Sequence, residues 1–137
     1  MGGSAVTDKF QRPVFARARR LCLAFPETTE TASWDHPNFR AGKKTFCAFE
    51  IIAGRPSIAL RLSPAEVDLA LRRKHFFATP YGRGLWASVW VDDAIDWKLI
   101  GRLLERSYRL VANKRMVGAL DTGQTETTRT GRKHAKR

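Results

Sequence analysis

Residues 34–49 have the sequence WDHPNFRAGKKTFCAF, which predicts a β-hairpin with a cationic tip. Gly42 favours a tight reversal of the chain, because a residue without a Cβ adopts positive φ at little cost. Lys43 and Lys44 follow it, ahead of an alternating run at residues 45–50 that predicts a strand. A basic hairpin tip on a positively charged protein is typical of a nucleic-acid-binding wing.

The composition of the chain points to one basic globular domain. Its 137 residues suit a single hydrophobic core, and its formal net charge is +12, from 25 lysines and arginines against 13 aspartates and glutamates. Residues 121–137 hold 5 of those cations and 2 of those carboxylates, so the excess is not confined to the C-terminal end. Such a charge predicts salt-sensitive attraction to polyanions.

The sequence shows neither a secretory signal nor a membrane-spanning run. Residues 1–11 lack the charged start and the apolar segment of a secretory signal. No apolar run approaches the ~20 residues that span a bilayer. We therefore expect a cytoplasmic protein that does not enter the membrane.

The chemistry-bearing residues do not form a recognisable catalytic or metal motif. Cys22 and Cys47 lack C-x-x-C spacing and lie in apolar patterns, which favours buried free thiols. His36, His75 and His134 have no metal-ligand spacing. The chain also lacks a phosphate-binding glycine motif and a nucleophile–base set, so we expect no cofactor, no metal and no enzymatic activity.

The hydrophobic periodicity predicts an α+β fold. The predicted elements are helix 13–24, strands 28–34, 45–52 and 57–62, helix 64–74, strands 76–79 and 85–91, and helix 97–113. The His36-Pro37 pair is interpreted as a turn that ends the first strand. The order α-β-β-β-α-β-β-α predicts one antiparallel sheet of about five strands with helices on one face. Residues 12–120 form this domain, between a disordered arm (1–11) and a disordered basic tail (121–137).

Alternation along two strands predicts which side chains share a face. In the strand 45–52, Phe46 and Ala48 are expected on one face, and Cys47, Phe49 and Ile51 on the other. The strand 85–91 similarly places Trp86, Ser88 and Trp90 together on one side.

Four motifs resemble the signature of the MmcQ/YjbR family of small bacterial proteins and cover roughly residues 14–115. They are Trp34-x-His36-Pro37-x-Phe39-Arg40-x-Gly42-Lys43-x-x-Phe46, Leu60-x-Leu62-Ser63-Pro64, Trp86-x-x-Val89 leading to Asp96, and Leu103-Leu104-x-x-Ser107-Tyr108-x-x-Val111-Ala112. The resemblance implies a CyaY-like fold and a DNA-binding role through a double-wing surface.

The candidate site therefore consists of cations near the predicted wings and of two tryptophans. Phosphate contacts are expected from Arg40, Lys43, Lys44, Arg61 and Arg83, with Trp86 and Trp90 as stacking or packing surfaces. The alternatives are a merely solubilising hairpin tip and tryptophans that belong to the core.

The expected partner is DNA, held without sequence preference through its phosphates. The cations of the tail would add to this attraction: Arg129, Arg132, Lys133, Lys136 and Arg137. The alternative function is a protein-interaction or chaperone-like module with an exposed aromatic sheet face, since the resemblance extends to secretion chaperones.

Overall fold

The structure, a computed structural model, describes residues 9–33 and 35–123. Its elements are α1 (Pro13–Leu23), β1 (Thr28–Ser33), β2 (His36–Ala41), β3 (Lys44–Ile52), β4 (Arg55–Arg61), α2 (Pro64–Ala70), β5 (Phe76–Ala78), β6 (Trp86–Trp90), α3 (Trp97–Val111) and α4 (Lys114–Asp121). The predicted tail beyond residue 123 and most of the predicted arm lie outside these residues. None of the described helices is long and apolar enough to cross a membrane.

The strands form one antiparallel sheet, as predicted. Within the described chain it has six strands in the order β1-β2-β3-β4-β6-β5. The α+β class is confirmed, and the additional strand relative to the predicted five is β2.

The prediction of a turn at His36-Pro37 is wrong, because both residues belong to β2. Pro37 pairs with Ala32 of the edge strand β1. The chain reverses just before, where Asp35 has a φ of 64°. Aspartate tolerates this left-handed conformation better than most residues. A proline near the start of a strand removes little of the hydrogen-bond ladder.

The helices cover one face of the sheet and enclose a single core. Each described helix contributes buried side chains to the same cluster as the inward residues of the strands: Ala18 and Cys22 from α1, Val67 and Ala70 from α2, Ile100, Leu104 and Tyr108 from α3, and Met116 from α4. Cys22 and Cys47 are buried free thiols, as predicted. The Tyr108 hydroxyl donates to the carbonyl oxygen of Pro26 at 2.8 Å, which joins α3 to the end of α1.

A bulge in β3 corrects the predicted assignment of faces. Arg40 pairs with Thr45 and Phe39 with Cys47, so Phe46 is an extra residue in β3. Phe46 and Cys47 consequently both face the helices and are fully buried. The strict alternation that placed Phe46 with Ala48 is wrong at this point, because a bulge inserts a residue without a partner in the ladder.

The last helix, α4, supports the β2–β3 hairpin from the helical side. Its N-cap Asn113 accepts a hydrogen bond from the backbone N–H of Met116. A Cβ placed on Gly42, which has a φ of 67°, would lie 3.3 Å from Cε of Met116. The backbone conformation of the hairpin turn therefore favours glycine, and Met116 of α4 packs directly against it.

Candidate nucleic-acid interface

The sheet face away from the helices is partly covered by residues 79–85, which we call the strap. Thr79 is buried, and its Oγ1 lies 2.7 Å from Oγ of Ser88 on this face. Tyr81 reaches farther and lines cavities with Ala48 and Glu50 of β3. The strap explains why small residues at the middle of the uncovered face, Ala59 among them, are buried.

The topology brings the predicted cations to one end of the sheet. At this end β2 turns into β3 and, because the strands are antiparallel, β4 ends and β6 begins. We define the cation end as the end of the sheet that carries Arg40, Lys43, Lys44, Arg61 and Arg83.

Two of these cations extend from the uncovered face, two lie in flanking turns, and one begins a strand. Arg40 and Arg61 occupy strand positions that alternate with buried core residues. Lys43 is in the hairpin turn, and Lys44 is the first residue of β3. Arg83 is in the strap turn where the Leu85 N–H donates to the carbonyl oxygen of Gly82 at 2.9 Å.

None of the five cations at the cation end forms an ion pair with a carboxylate among residues 9–33 and 35–123. The Arg61 guanidinium donates instead to the carbonyl oxygen of Leu62 at 2.6 Å. Because a backbone carbonyl has no net charge, this bond does not neutralise Arg61. Elsewhere, five arginines are paired with carboxylates: Arg19, Arg55, Arg106, Arg109 and Arg115. The positive charge at the cation end therefore remains available to an anionic ligand.

The structure separates the two predicted tryptophans, although both are half-buried. Trp86 pairs with Arg61 and belongs to the cation end. Trp90 lies at the opposite end, where Phe77 stacks on it with 4.2 Å between ring centres. The Arg55 guanidinium carbon lies 4.0 Å from the centre of the Trp90 ring, and Arg55 is held by Asp92. Trp90 thus packs within the protein, whereas Trp86 has no such ring partner among the described residues.

A cavity of about 510 Å³ extends from Trp86 across the uncovered face. We call it the sheet cavity, and its lining residues are Ser33, His36, Asn38, Thr45, Ala48, Tyr81 and Trp86. Asn38 donates to the carbonyl oxygens of Ser33 at 3.4 Å and His36 at 3.1 Å. These bonds orient the amide and leave its Oδ1 as an acceptor.

Glu50 is a buried carboxylate next to the sheet cavity. It is 6 % exposed, and its Oε1 has no hydrogen-bond partner in the described part of the chain. Its Oε2 lies 3.8 Å from Nε2 of His36. Burial raises the pKa of Glu50 above its usual value. His36 and Tyr81 line both the sheet cavity and the smaller cavity around Glu50, so the two cavities adjoin.

The sequence predictions missed Tyr81, Asn38 and Glu50 as members of this region. One available signal was Glu50 itself, a charged residue between Phe49 and Ile51 in an apolar strand. The described residues contain no cluster of three or more histidine, cysteine or acidic side chains placed to hold a metal ion. The arrangement offers instead a positive edge, an aromatic-lined hollow and a few fixed polar groups.

Comparisons with known proteins identify relatives of this chain. The family model described as YjbR matches residues 23–110. A search of curated proteins finds no match. Among solved structures, a Deinococcus radiodurans protein with a DUF419 domain is 22% identical, with a TM-score of 0.63, and the match covers 77% of this chain and 86% of that one.

A Pseudomonas syringae protein has a similar structure. Its crystal structure matches with a TM-score of 0.59 at 19% identity, covering 69% of this chain and 97% of that one. Its solution NMR structure gives a TM-score of 0.57 at 20% identity, with 72% and 94% covered. At these identities the two bacterial proteins establish a shared fold.

Proposed function

The chain belongs to the YjbR family, and we propose that it is a non-enzymatic DNA-binding protein that holds phosphates at the cation end of its sheet. The observation that carries the proposal is the convergence of five cations without ion-pair partners in the described chain on this end.

The geometry supports contacts to several phosphates at once. Arg40 and Arg61 lie on β2 and β4, with β3 between them. Their backbones are therefore two strand spacings apart, about 10 Å. Lys43 and Arg83 lie in turns that flank this row, so the positive charge continues beyond the strands. Such contacts fix a nucleic acid in position without reading its sequence.

The proposal is tested by a Lys43→Ala/Lys44→Ala double variant in a fluorescence anisotropy titration against duplex DNA. We expect weaker binding to every sequence and a shallower dependence of log K on log salt, by about 0.9 for each phosphate that the variant no longer neutralises. The matched control is Arg72→Ala/Arg73→Ala, which removes the same charge from exposed residues after α2. If both double variants change the slope equally, binding follows net charge alone and the cation end has no special role.

A protein-interaction role is the second candidate, and one observation favours it. Tyr81 is 59% exposed on the strap, at the middle of a face whose other aromatic residues are partly covered. An aromatic contact of this kind would hold a peptide at high salt, where DNA binding through phosphates is lost. The salt titration therefore separates the two functions.

A further inference from the structure

The sheet cavity has the composition of a site for a flat, polar-edged ligand. Its volume of about 510 Å³ is within the range of small-ligand sites. Tyr81 and Trp86 supply aromatic surface, and the described residues form no ring contact with either of them. Aromatic side chains with free faces stack readily on nucleobases, whatever the base.

Polar groups with unused hydrogen-bonding capacity lie in the sheet cavity and in the smaller cavity that adjoins it. The Asn38 amide is held by two donated bonds, so its Oδ1 has a fixed position as an acceptor. The Oε1 of Glu50 is buried and has no partner among the described residues. Glu50 lines the smaller cavity, which adjoins the sheet cavity. A buried polar atom without a hydrogen bond is costly, and a donor on a bound ligand would relieve that cost.

The cavity is continuous with the cation end. Thr45 lines it and pairs with Arg40 across β2 and β3, while Trp86 lines it and pairs with Arg61. A nucleic acid whose phosphates lie on Arg40 and Arg61 can therefore direct a base into the cavity.

We propose that the sheet cavity accepts one unstacked base of a single-stranded nucleic acid whose phosphates lie on the cation end. The inference rests on the proposed function and specifies its ligand. A base within a duplex is stacked on both faces and paired at its edge, so it enters such a cavity only after leaving the helix. A base in a single strand is already free to do so.

The test compares an oligothymidylate with an abasic strand of the same length, each titrated against the full chain by fluorescence anisotropy. The wild type should bind the thymidylate about tenfold or more tightly than the abasic strand, as expected for stacking one base on an aromatic ring. Tyr81→Ala should abolish most of this difference while leaving affinity for the abasic strand unchanged. Because Tyr81 is largely exposed, this variant should fold, and Tyr81→Phe should retain the preference.

Leu69→Ala is the matched control, since Leu69 is also 59% exposed but lies on α2, on the helical side of the sheet. It should preserve the preference for the base-bearing strand. Equal binding of the thymidylate and abasic strands by the wild type would overturn the base-binding inference and leave phosphate binding intact. Failure of the wild type to bind any strand, single or double, would overturn both.

Discussion

Glu50 is a carboxylate in a buried position that disfavours its charged form. A carboxylate normally accepts several hydrogen bonds, yet one of its oxygens has no partner in the described chain, and the residue lines a cavity with Pro80 and Tyr81 of the strap. His36 is the basic side chain near it, with 3.8 Å between Nε2 and Oε2. Because burial disfavours the charged form, the pKa of Glu50 is raised from 4.5.

Replacing Glu50 with glutamine should stabilise the protein at neutral pH. Between 4.5 and its raised pKa, Glu50 holds its proton more tightly in the folded protein than in the unfolded one. The free energy of unfolding therefore falls as pH rises through this range. Glu50→Gln removes that loss, so its advantage over the wild type in urea titrations should be larger at pH 7 than at pH 4.

Asp68→Asn provides the control for Glu50→Gln. Asp68 is an exposed carboxylate on α2 without an ion pair among the described residues, and its replacement should have only a small effect on stability. If Glu50→Gln is instead destabilising at pH 7, the His36 contact holds the charged carboxylate in place and the desolvation argument is wrong.

The sequence was informative about single residues where one physical preference dominates. Ser63 and Asp96 are residue types that favour helix caps, and they cap α2 and α3, because capping depends on a few neighbouring atoms. Buried thiols at Cys22 and Cys47 followed from their apolar neighbours. Glu50 was missed because an acidic residue in a strand resembles any outward charge, and the residues that line the cavity around it, Phe10 and Tyr81 among them, are distant in sequence.

At the scale of elements, the strap lies close to the sheet because Gly82 has no side chain. A Cβ on Gly82 would lie 2.8 Å from Cβ of Trp86 and 3.2 Å from Cβ of Thr79. Real Cβ contacts are essentially never as short as the first of these, and Trp86 Cβ is attached directly to the backbone of β6. The strap can approach the uncovered face only because position 82 has no side chain.

Gly82→Ala should therefore lower stability by about 1–3 kcal/mol, the usual cost of overpacking. It should also change the fluorescence of Trp86, because the strap has to move away from that ring. Gly101→Ala is the opposite control: a Cβ there has no atom within 4 Å, and alanine favours the helix by about 0.5–1 kcal/mol. Chemical denaturation of both variants measures the contrast, and equal destabilisation would contradict it.

Elements with strong local signals were predicted, and two without them were missed. The strand β2 was hidden by Pro37, a residue usually excluded from sheets, which is accommodated beside the edge strand β1. The helix α4 is short, and its buried side chain is Met116, so its hydrophobic periodicity is weak. The missed helix supports Gly42, which means that part of what positions the candidate site was not visible in the sequence.

At the scale of the whole molecule, folding pairs some cations with carboxylates and leaves others without an ion pair among the described residues. Two helix residues form such ion pairs: Arg19 with Glu30, and Arg109 with both Glu105 and Asp121. Exposed pairs of this kind contribute about 0–1 kcal/mol each to stability. Their larger effect is on the external field, which becomes strongest where cations lack partners.

Removing residues 124–137 should weaken DNA binding without weakening the fold. The described core ends at Leu120, which packs against it, so we expect an unchanged melting temperature. The segment holds five lysines and arginines, and their removal should reduce both affinity at low salt and the salt slope. Calorimetry and anisotropy on the shortened protein measure the two effects, and a lower melting temperature would show that the segment contributes to the core.

The extra residue in β3 lets one hairpin contribute to both faces of the sheet. A regular strand directs consecutive side chains to opposite faces. At the bulge, Phe46 and Cys47 both face the helices, while Thr45 pairs with Arg40 and lines the sheet cavity. Deleting Phe46 would restore an unbroken ladder and leave Thr45 opposite Arg40, so the cationic tip would keep its orientation. The shortened hairpin would instead lose the ring that packs edge-on against Tyr108, and with it an aromatic anchor between the hairpin and the helices.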